Sequence, residues 1–220
     1  MVHLGRLFDV DGVDRLGRRA IDLPDADIVL VPGFLSSADA ERLFVDLSAT
    51  TAWRQETIKL YGRESPVPRL SAWYGDPGAA YTYSNIAMQP EPWSPPLLEI
   101  RTLVEQEAGT KFNSVLCNLY RDGRDSVAWH SDDESELGCR PVIASVSLGA
   151  TRTFQLRHRA QRDLRHSTDL THGSLLLMRG PTQRHWRHQV PKTSRSVGPR
   201  INLTFRTISV RPPAAQTARS

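Results

Sequence analysis

The chain reads as a mainly β protein, a sandwich or barrel with two flanking helices. From residue 112 onward, short runs of Val, Ile, Leu, Phe and Thr are punctuated by Gly, Pro, Asp and Ser, as strands are by turns. No strong helical period interrupts those runs, which argues against the strand–helix alternation of a parallel sheet. The two clear helical periods both lie before residue 110.

Taken in order, residues 27–31 form a short apolar strand. Ser36 is placed to cap a helix running to about residue 49. Asp39 sits favourably in its first turn, and Leu43, Phe44 and Leu47 share one face. Residues 53–61 read as a strand. Residues 63–92 are rich in Pro, Gly, Tyr and Trp and lack a helical period, so a hairpin or ordered loops exposing aromatics is expected. Ser94 before Pro95 and Pro96 starts a second helix; Leu97, Ile100, Val104 and Ala108 follow at helical spacing, and Gly109 stops it. Strands are then expected at 112–120, 142–148, 153–156, 174–178 and 201–210. One domain over 27–208 results, with an extension at 1–26 and a disordered tail from 209.

Composition narrows the function classes. The 220 residues are 39% hydrophobic and 24% charged, enough apolar content for a core. The longest clean apolar stretches, 28–31 and 175–178, fall far short of the roughly 20 residues that span a bilayer. The first 20 residues mix Asp and Arg and have no apolar core, so no secretory signal is read there. Two cysteines, Cys117 and Cys139, exclude a disulfide framework and a four-thiolate zinc site. The expectations are no membrane association, a reduced cytoplasmic compartment and a monomer.

The net charge of +4 conceals an asymmetry. Residues 1–150 carry 14 Lys/Arg against 22 Asp/Glu; residues 151–220 carry 14 against 2. All but three of the basic residues are Arg, whose planar fork suits phosphate and carboxylate. The basic segment, with Arg152, Arg157, Arg159, Arg162, Arg165, Arg179, Arg184 and Arg187, points to a polyanionic partner.

Two short patterns carry chemistry. In Trp129-His130-Ser131-Asp132, strand alternation puts His130 and Asp132 on one face, where both reach one metal ion. A third ligand is available downstream in His185 or His188. Two His and one carboxylate leave open positions on an octahedral ion, as in non-haem Fe(II) oxygenases. The pair alone is weak, because His-x-Asp is common. In residues 200–206, alternation puts Arg200, Asn202, Thr204 and Arg206 opposite the apolar Ile201, Leu203 and Phe205. Either that face meets solvent, or its guanidiniums turn inward and a small dicarboxylate supplies the charge they need. With Asn118 and Tyr120, two residues apart on residues 112–120, such a face fits both ends of a compact diacid.

Together these parts resemble the AlkB-type Fe(II)/2-oxoglutarate-dependent dioxygenases. The order is Asn118-Leu119-Tyr120, His130-x-Asp132, Gln183-x-x-Trp186-x-His188 and Arg200-Ile201-Asn202-x-x-x-Arg206. The runs 112–121, 129–134, 143–148 and 173–178 look most like the second and third human members, and the likeness spans roughly 28–208. The resemblance implies a double-stranded β-helix, a jelly-roll barrel with the iron in its mouth. It selects His188 over His185 as the third Fe(II) ligand. It implies that Asn118, Tyr120, Arg200, Asn202 and Arg206 bind 2-oxoglutarate, with Arg200 on the distal carboxylate and Arg206 in support. It makes residues 63–92 a lid over the substrate base, with Arg69, Trp73, Tyr74, Tyr81 and Tyr83 in it. Tyr83 would stack on the base opposite His130, and Tyr81 would touch its edge. Glu134, two residues beyond Asp132, would lie near the base, where the founding bacterial member has Asp. The implied activity is oxidative demethylation of alkylated DNA, with RNA a second candidate. The bases would be N1-methyladenine and N3-methylcytosine, and formaldehyde, succinate and CO2 would be released. The rivals are a hydroxylase of proteins or small molecules on the same scaffold and an inert nucleic-acid binder.

Overall fold

Every strand from residue 114 onward pairs antiparallel, in one of two sheets that close on each other. The computed structural model describes residues 17–60, 63–79, 81–83, 86–88 and 90–209. Strands β1 (Arg19–Ala20) and β2 (Asp27–Val31) precede helix α1 (Ser37–Thr50). Next come β3 (Thr57–Leu60), β4 (Arg63–Pro66), β5 (Leu70–Gly75), β6 (Tyr81–Tyr83), β7 (Ile86–Met88) and helix α2 (Pro95–Ala108). The barrel continues with β8 (Ser114–Tyr120), β9 (Val127–His130), β10 (Ile143–Gly149), β11 (Arg152–His158) and β12 (Arg165–Leu170). It ends with β13 (Ser174–Arg179), the single-turn α3 (Thr182–His185), β14 (Trp186–Val190) and β15 (Arg200–Arg206).

The major sheet runs β1-β2-β13-β10-β15-β8-β5 and the minor sheet β12-β11-β14-β9. The strand period of two gives the major sheet two different faces. Ala144, Val146, Leu148, Leu175, Leu177, Ile201, Leu203 and Phe205 point outward and are covered by α1 and α2 through Leu43, Leu47, Leu97, Ile100 and Val104. Leu116, Tyr120, Ile143, Leu176 and Met178 point inward and meet Phe154, Leu156, Trp186 and Val190 of the minor sheet. This is the expected double-stranded β-helix with flanking helices.

The helices begin and end as their sequences dictate. The Ser36 hydroxyl accepts from the Asp39 N–H at 3.1 Å, capping α1. Pro95 and Pro96 open α2, where a missing N–H costs nothing, and Gly109 closes it at φ 68°. Gly149 is needed for a second reason: at φ 86°, a Cβ there would meet the Pro199 carbonyl at 2.4 Å.

Several expectations are corrected. The strand expected at 53–61 is confined to Thr57–Leu60. Residues 63–92 are not wholly a covering segment, because β5 pairs with β8 and is the edge strand of the major sheet. Trp73 and Tyr74 are therefore not exposed; they are 2% and 6% accessible. The expected extension contributes β1, which pairs with β2. Residues 1–16 and 210–220, with nearly all of the expected tail, lie outside the described residues.

Leu203 is fully buried on β15, between β8 and β10 and beneath the helices. Leu203→Ala should lower stability by about 2–5 kcal/mol. Urea unfolding should show a lower midpoint at an unchanged slope.

Candidate active site

The inner face of the barrel holds a cavity lined among others by Arg69, Asn118, Tyr120, His130, Asp132, Phe154, His188, Asn202 and Arg206. At its mouth the ligand atoms of His130, Asp132 and His188 lie within 4.8 Å of one another. His130 is the last residue of β9, and His188 faces it in register on β14, with ring centroids 4.2 Å apart. His188 Nε2 lies 3.7 Å from Asp132 Oδ2.

Each ligand is held in the form a metal requires. His130 Nδ1 donates to the Ala128 carbonyl at 2.8 Å, which leaves Nε2 with its lone pair. Burial, with the neighbouring His130, pushes the His188 pKa down to about 3, so this imidazole is neutral. Burial works against the Asp132 carboxylate, but the Arg206 guanidinium beside it outweighs this and holds its pKa below the usual range. The Asp132 N–H donates to Gln183 Oε1 at 3.0 Å, and the Ser131 hydroxyl donates to the Trp186 carbonyl at 2.9 Å. Phe154 of β11 stacks on His188 at 5.2 Å, a contact that sequence reasoning missed. This donor set fits Fe(II).

His185 is not in this group. It belongs to a second cluster with Asp25 and His158. There His158 Nδ1 accepts the N–H groups of Gln161 at 3.0 Å and Ala160 at 3.3 Å. Its Nε2 therefore keeps the proton and faces Asp25 Oδ2 at 3.5 Å, so it has no lone pair to offer a metal.

The residues expected to bind the cosubstrate come together on β8 and β15. Asn118 faces Asn202 in register, and Tyr120 faces Arg200. Arg206 ion-pairs with Asp132 beside the metal ligands. Arg200 is fully buried; its Nη2 donates to Ser147 Oγ and Asn202 Oδ1, both at 2.8 Å. Its Nε and Nη1 are buried without a partner, which leaves charged donors for an anion. Burial pushes its pKa down to about 10, still a cation at neutral pH.

The expected substrate residues fare unequally. Arg69 lines the cavity and its Nε donates to Asn118 Oδ1 at 2.7 Å. Trp73 is a packing residue instead: its buried indole donates to the Ala79 carbonyl at 3.1 Å and it does not line the cavity. The side chains of Tyr81 and Tyr83 lie outside the described residues. Glu134 does not line the cavity either, because β9 ends at His130 and strand alternation does not extend to it. It precedes the 3₁₀ turn Ser135–Leu137.

A second surface lies on the minor sheet, a groove lined by Arg157, His158, Arg159, Arg162, Arg165 and Arg187. Arg157 stands directly opposite Arg165 on one side and Arg187 on the other. Its guanidinium lies 4.3 Å over the Trp129 ring, one residue before His130.

A two-His, one-carboxylate triad, its Asp132 and His188 buried and its His130 half-buried, beside an anion pocket in a jelly roll defines an iron- and keto-acid-dependent oxygenase. The family model described as the 2OG-Fe(II) oxygenase superfamily matches residues 27–206, and the chain belongs to that family. It is an AlkB-type dioxygenase, with Fe(II) and 2-oxoglutarate as its cofactor and cosubstrate. It is 45% identical over 212 residues to the alpha-ketoglutarate-dependent dioxygenase alkB homolog 3 of Bos taurus, covering 92% of this chain and 73% of that one. Against the Homo sapiens homolog 3 the identity is 43%, covering 89% and 72%. The DNA oxidative demethylase ALKBH2 of Homo sapiens is 41% identical, covering 78% and 69%. The solved structure of OsALKBH1 shares the fold, with a TM-score of 0.62 over 82% of this chain and 96% of that one at 17% identity.

The triad assignment has a direct check by calorimetric titration with Mn(II). His188→Ala should abolish metal binding, and His185→Ala should leave it intact. Gln183→Leu removes the acceptor that orients Asp132 and should weaken binding by roughly 10–100-fold.

Proposed function

We propose that this protein demethylates alkylated bases in nucleic acid, with N1-methyladenine and N3-methylcytosine in DNA as its principal substrates and RNA as a second. The observation that carries this reading is the arginine groove beside the triad, on the same minor sheet as His130 and His188. A small-molecule or protein hydroxylase has no evident use for five arginines there, whereas a phosphate backbone does. The names of the relatives, two of them dioxygenases and one a DNA oxidative demethylase, agree with it.

When bound, Fe(II) couples the reduction of O2 to oxidation of 2-oxoglutarate, giving succinate and CO2, and to hydroxylation of the N-methyl group, which leaves as formaldehyde. The protein supplies position and charge. Arg206 holds Asp132 ionised and in place as a ligand, and lines the cavity where the keto-acid end is received. Arg200 takes the distal carboxylate with its two unpartnered donors. Arg69 stands at the cavity wall for the substrate, and Tyr81 and Tyr83 are assigned to the flipped base. Methylation at N1 of adenine or N3 of cytosine blocks the Watson–Crick edge, so extruding such a base costs less than extruding a paired one. The domain spans residues 27–208, and the protein is proposed to act as a cytoplasmic monomer. Among the described residues, no helix is long and apolar enough to cross a membrane.

The test is formaldehyde release from oligonucleotides carrying either base, with Fe(II), ascorbate and 2-oxoglutarate supplied. Release is expected from at least one strand context; no release from any would pass the site to a different substrate class. Arg200→Lys cannot reproduce the guanidinium fork and should weaken 2-oxoglutarate binding by roughly tenfold or more. Oligonucleotide affinity should fall with salt at a log–log slope of about −0.7 per phosphate contact on single strands. Replacing Arg162 and Arg165 by Ala should make that slope shallower, while turnover at saturating oligonucleotide is kept.

A further inference from the structure

We infer that Arg152 is a positioning residue for the cosubstrate: it fixes Tyr120, which lines the cavity, and adds a second buried cation beside that ring and Arg200, which favours a diacid. The inference rests on the placement of 2-oxoglutarate between Arg206 and Arg200.

Arg152 opens β11 and is 3% exposed. Alternation puts it on the same inner face as Phe154, so one strand presents a ring to the ligand His188 and a guanidinium to Tyr120. Its Nη1 donates to the Asp122 carbonyl at 3.1 Å. Its Nη2 donates to the carbonyls of Asp125 at 2.9 Å and Pro191 at 2.7 Å. Arg152 therefore ties the loop after β8 to the loop after β14. The fixed geometry of the guanidinium presents its donors to these three carbonyls at once.

Two guanidiniums lie over the Tyr120 ring, with Arg152 Cζ at 5.6 Å and Arg200 Cζ at 5.3 Å from its centroid. Tyr120 faces Arg200 in register, so whatever fixes this ring also fixes the wall beside the unpartnered Nε and Nη1 of Arg200. Among the described residues, neither arginine has a carboxylate within ion-pair distance. The nearest candidate, Asp125, is taken by Arg121, which donates to it from Nε at 2.7 Å, Nη2 at 2.9 Å and its backbone N–H at 2.9 Å. Two buried like charges repel each other, and a ligand carboxylate at Arg200 relieves that repulsion. A keto acid without a distal carboxylate gains nothing from it. Arg152 thus acts on affinity for the diacid, through Tyr120 and through its charge, without touching the ligand.

The test compares two ligands on the full chain loaded with redox-inert Mn(II). One is 2-oxoglutarate, and the other is oxalate, which offers a chelating end and no distal carboxylate. Both affinities are measured by calorimetry for wild type, Arg152→Met and Arg152→Lys. For Arg152→Met, 2-oxoglutarate affinity should fall about tenfold, equivalent to one charge-assisted contact. Oxalate and Mn(II) affinities should be unchanged. Arg152→Lys keeps the charge but not the fork and should show an intermediate loss. Equal losses for both ligands mean that Arg152 merely holds the fold, and unchanged 2-oxoglutarate affinity removes it from the site; either result overturns the inference. If Arg152→Met does not fold, the same comparison on Arg152→Lys decides. Failure of the wild type to bind 2-oxoglutarate would instead overturn the cosubstrate placement itself.

Discussion

The inner face of β15 carries two buried arginines, and much of the site is arranged to meet their charge. Arg200 and Arg206 are 0% and 3% exposed, at opposite ends of one strand in the middle of the major sheet. Burying an uncompensated ion costs several kcal/mol. Arg206 is compensated by Asp132. Arg200 is given only a hydroxyl, an amide oxygen and an aromatic ring, and two of its donors are left for a ligand. The residues between and beside them follow from this. Asn202 and Thr204 hydrogen-bond to each other, and Ser145 and Ser147 on β10 donate to or accept from the same row. A polar stripe thus runs through an otherwise apolar interior, while the opposite face of β15 is Ile, Leu and Phe under two helices.

The Arg206–Asp132 pair links the anion pocket to the metal ligands. One oxygen of Asp132 meets Arg206, and the other faces His188. The backbone of the same residue is held by Gln183 of α3. The indole of Trp186, at the start of β14, donates to the Pro24 carbonyl at 2.8 Å. The N-terminal strands are therefore fastened to the strand that carries His188. This explains why a Gln-x-x-Trp-x-His spacing is chemically meaningful: Gln orients one ligand, Trp anchors the strand, and His is another ligand.

Strands that are apolar on both faces, such as β8, β10 and β13, were legible as runs, and both helices as capped periods. β12 was not, because Arg165–Leu170 is almost wholly polar and half exposed. β14 was not, because Trp186–Val190 alternates Arg and Gln with buried residues over only five positions. The His130/Asp132 pair was legible, but its same-face argument was not the operative one. The strand ends at His130, and a bend followed by the Gln183 contact brings Asp132 in. Alternation therefore does not carry on to Glu134, which stands outside the strand. Trp73 misled for a different reason: aromatic residues among Pro and Gly suggest a loop. The signal against that was small residues within the run, Ser71, Ala72 and Gly75. A Cβ at Gly75 would meet the Asn113 carbonyl at 2.8 Å, a closeness that a strand packed on β8 requires.

The charge asymmetry finds its explanation on the minor sheet. Directly opposed like charges destabilise a strand pair by tenths of a kcal/mol to about 1 kcal/mol. Arg157 accepts that penalty twice, opposite Arg165 and opposite Arg187. Stability alone would favour a Glu or Thr at one of the three positions. An anionic ligand reverses the sign, since three neighbouring antiparallel strands of cations then share one phosphate backbone. Trp129 beneath Arg157 adds a cation–π contact that keeps this side chain over the strand leading to His130. The electrostatic cost lies next to the metal ligands, on the sheet that carries both histidines, and it is lowered only when a polyanion is held there.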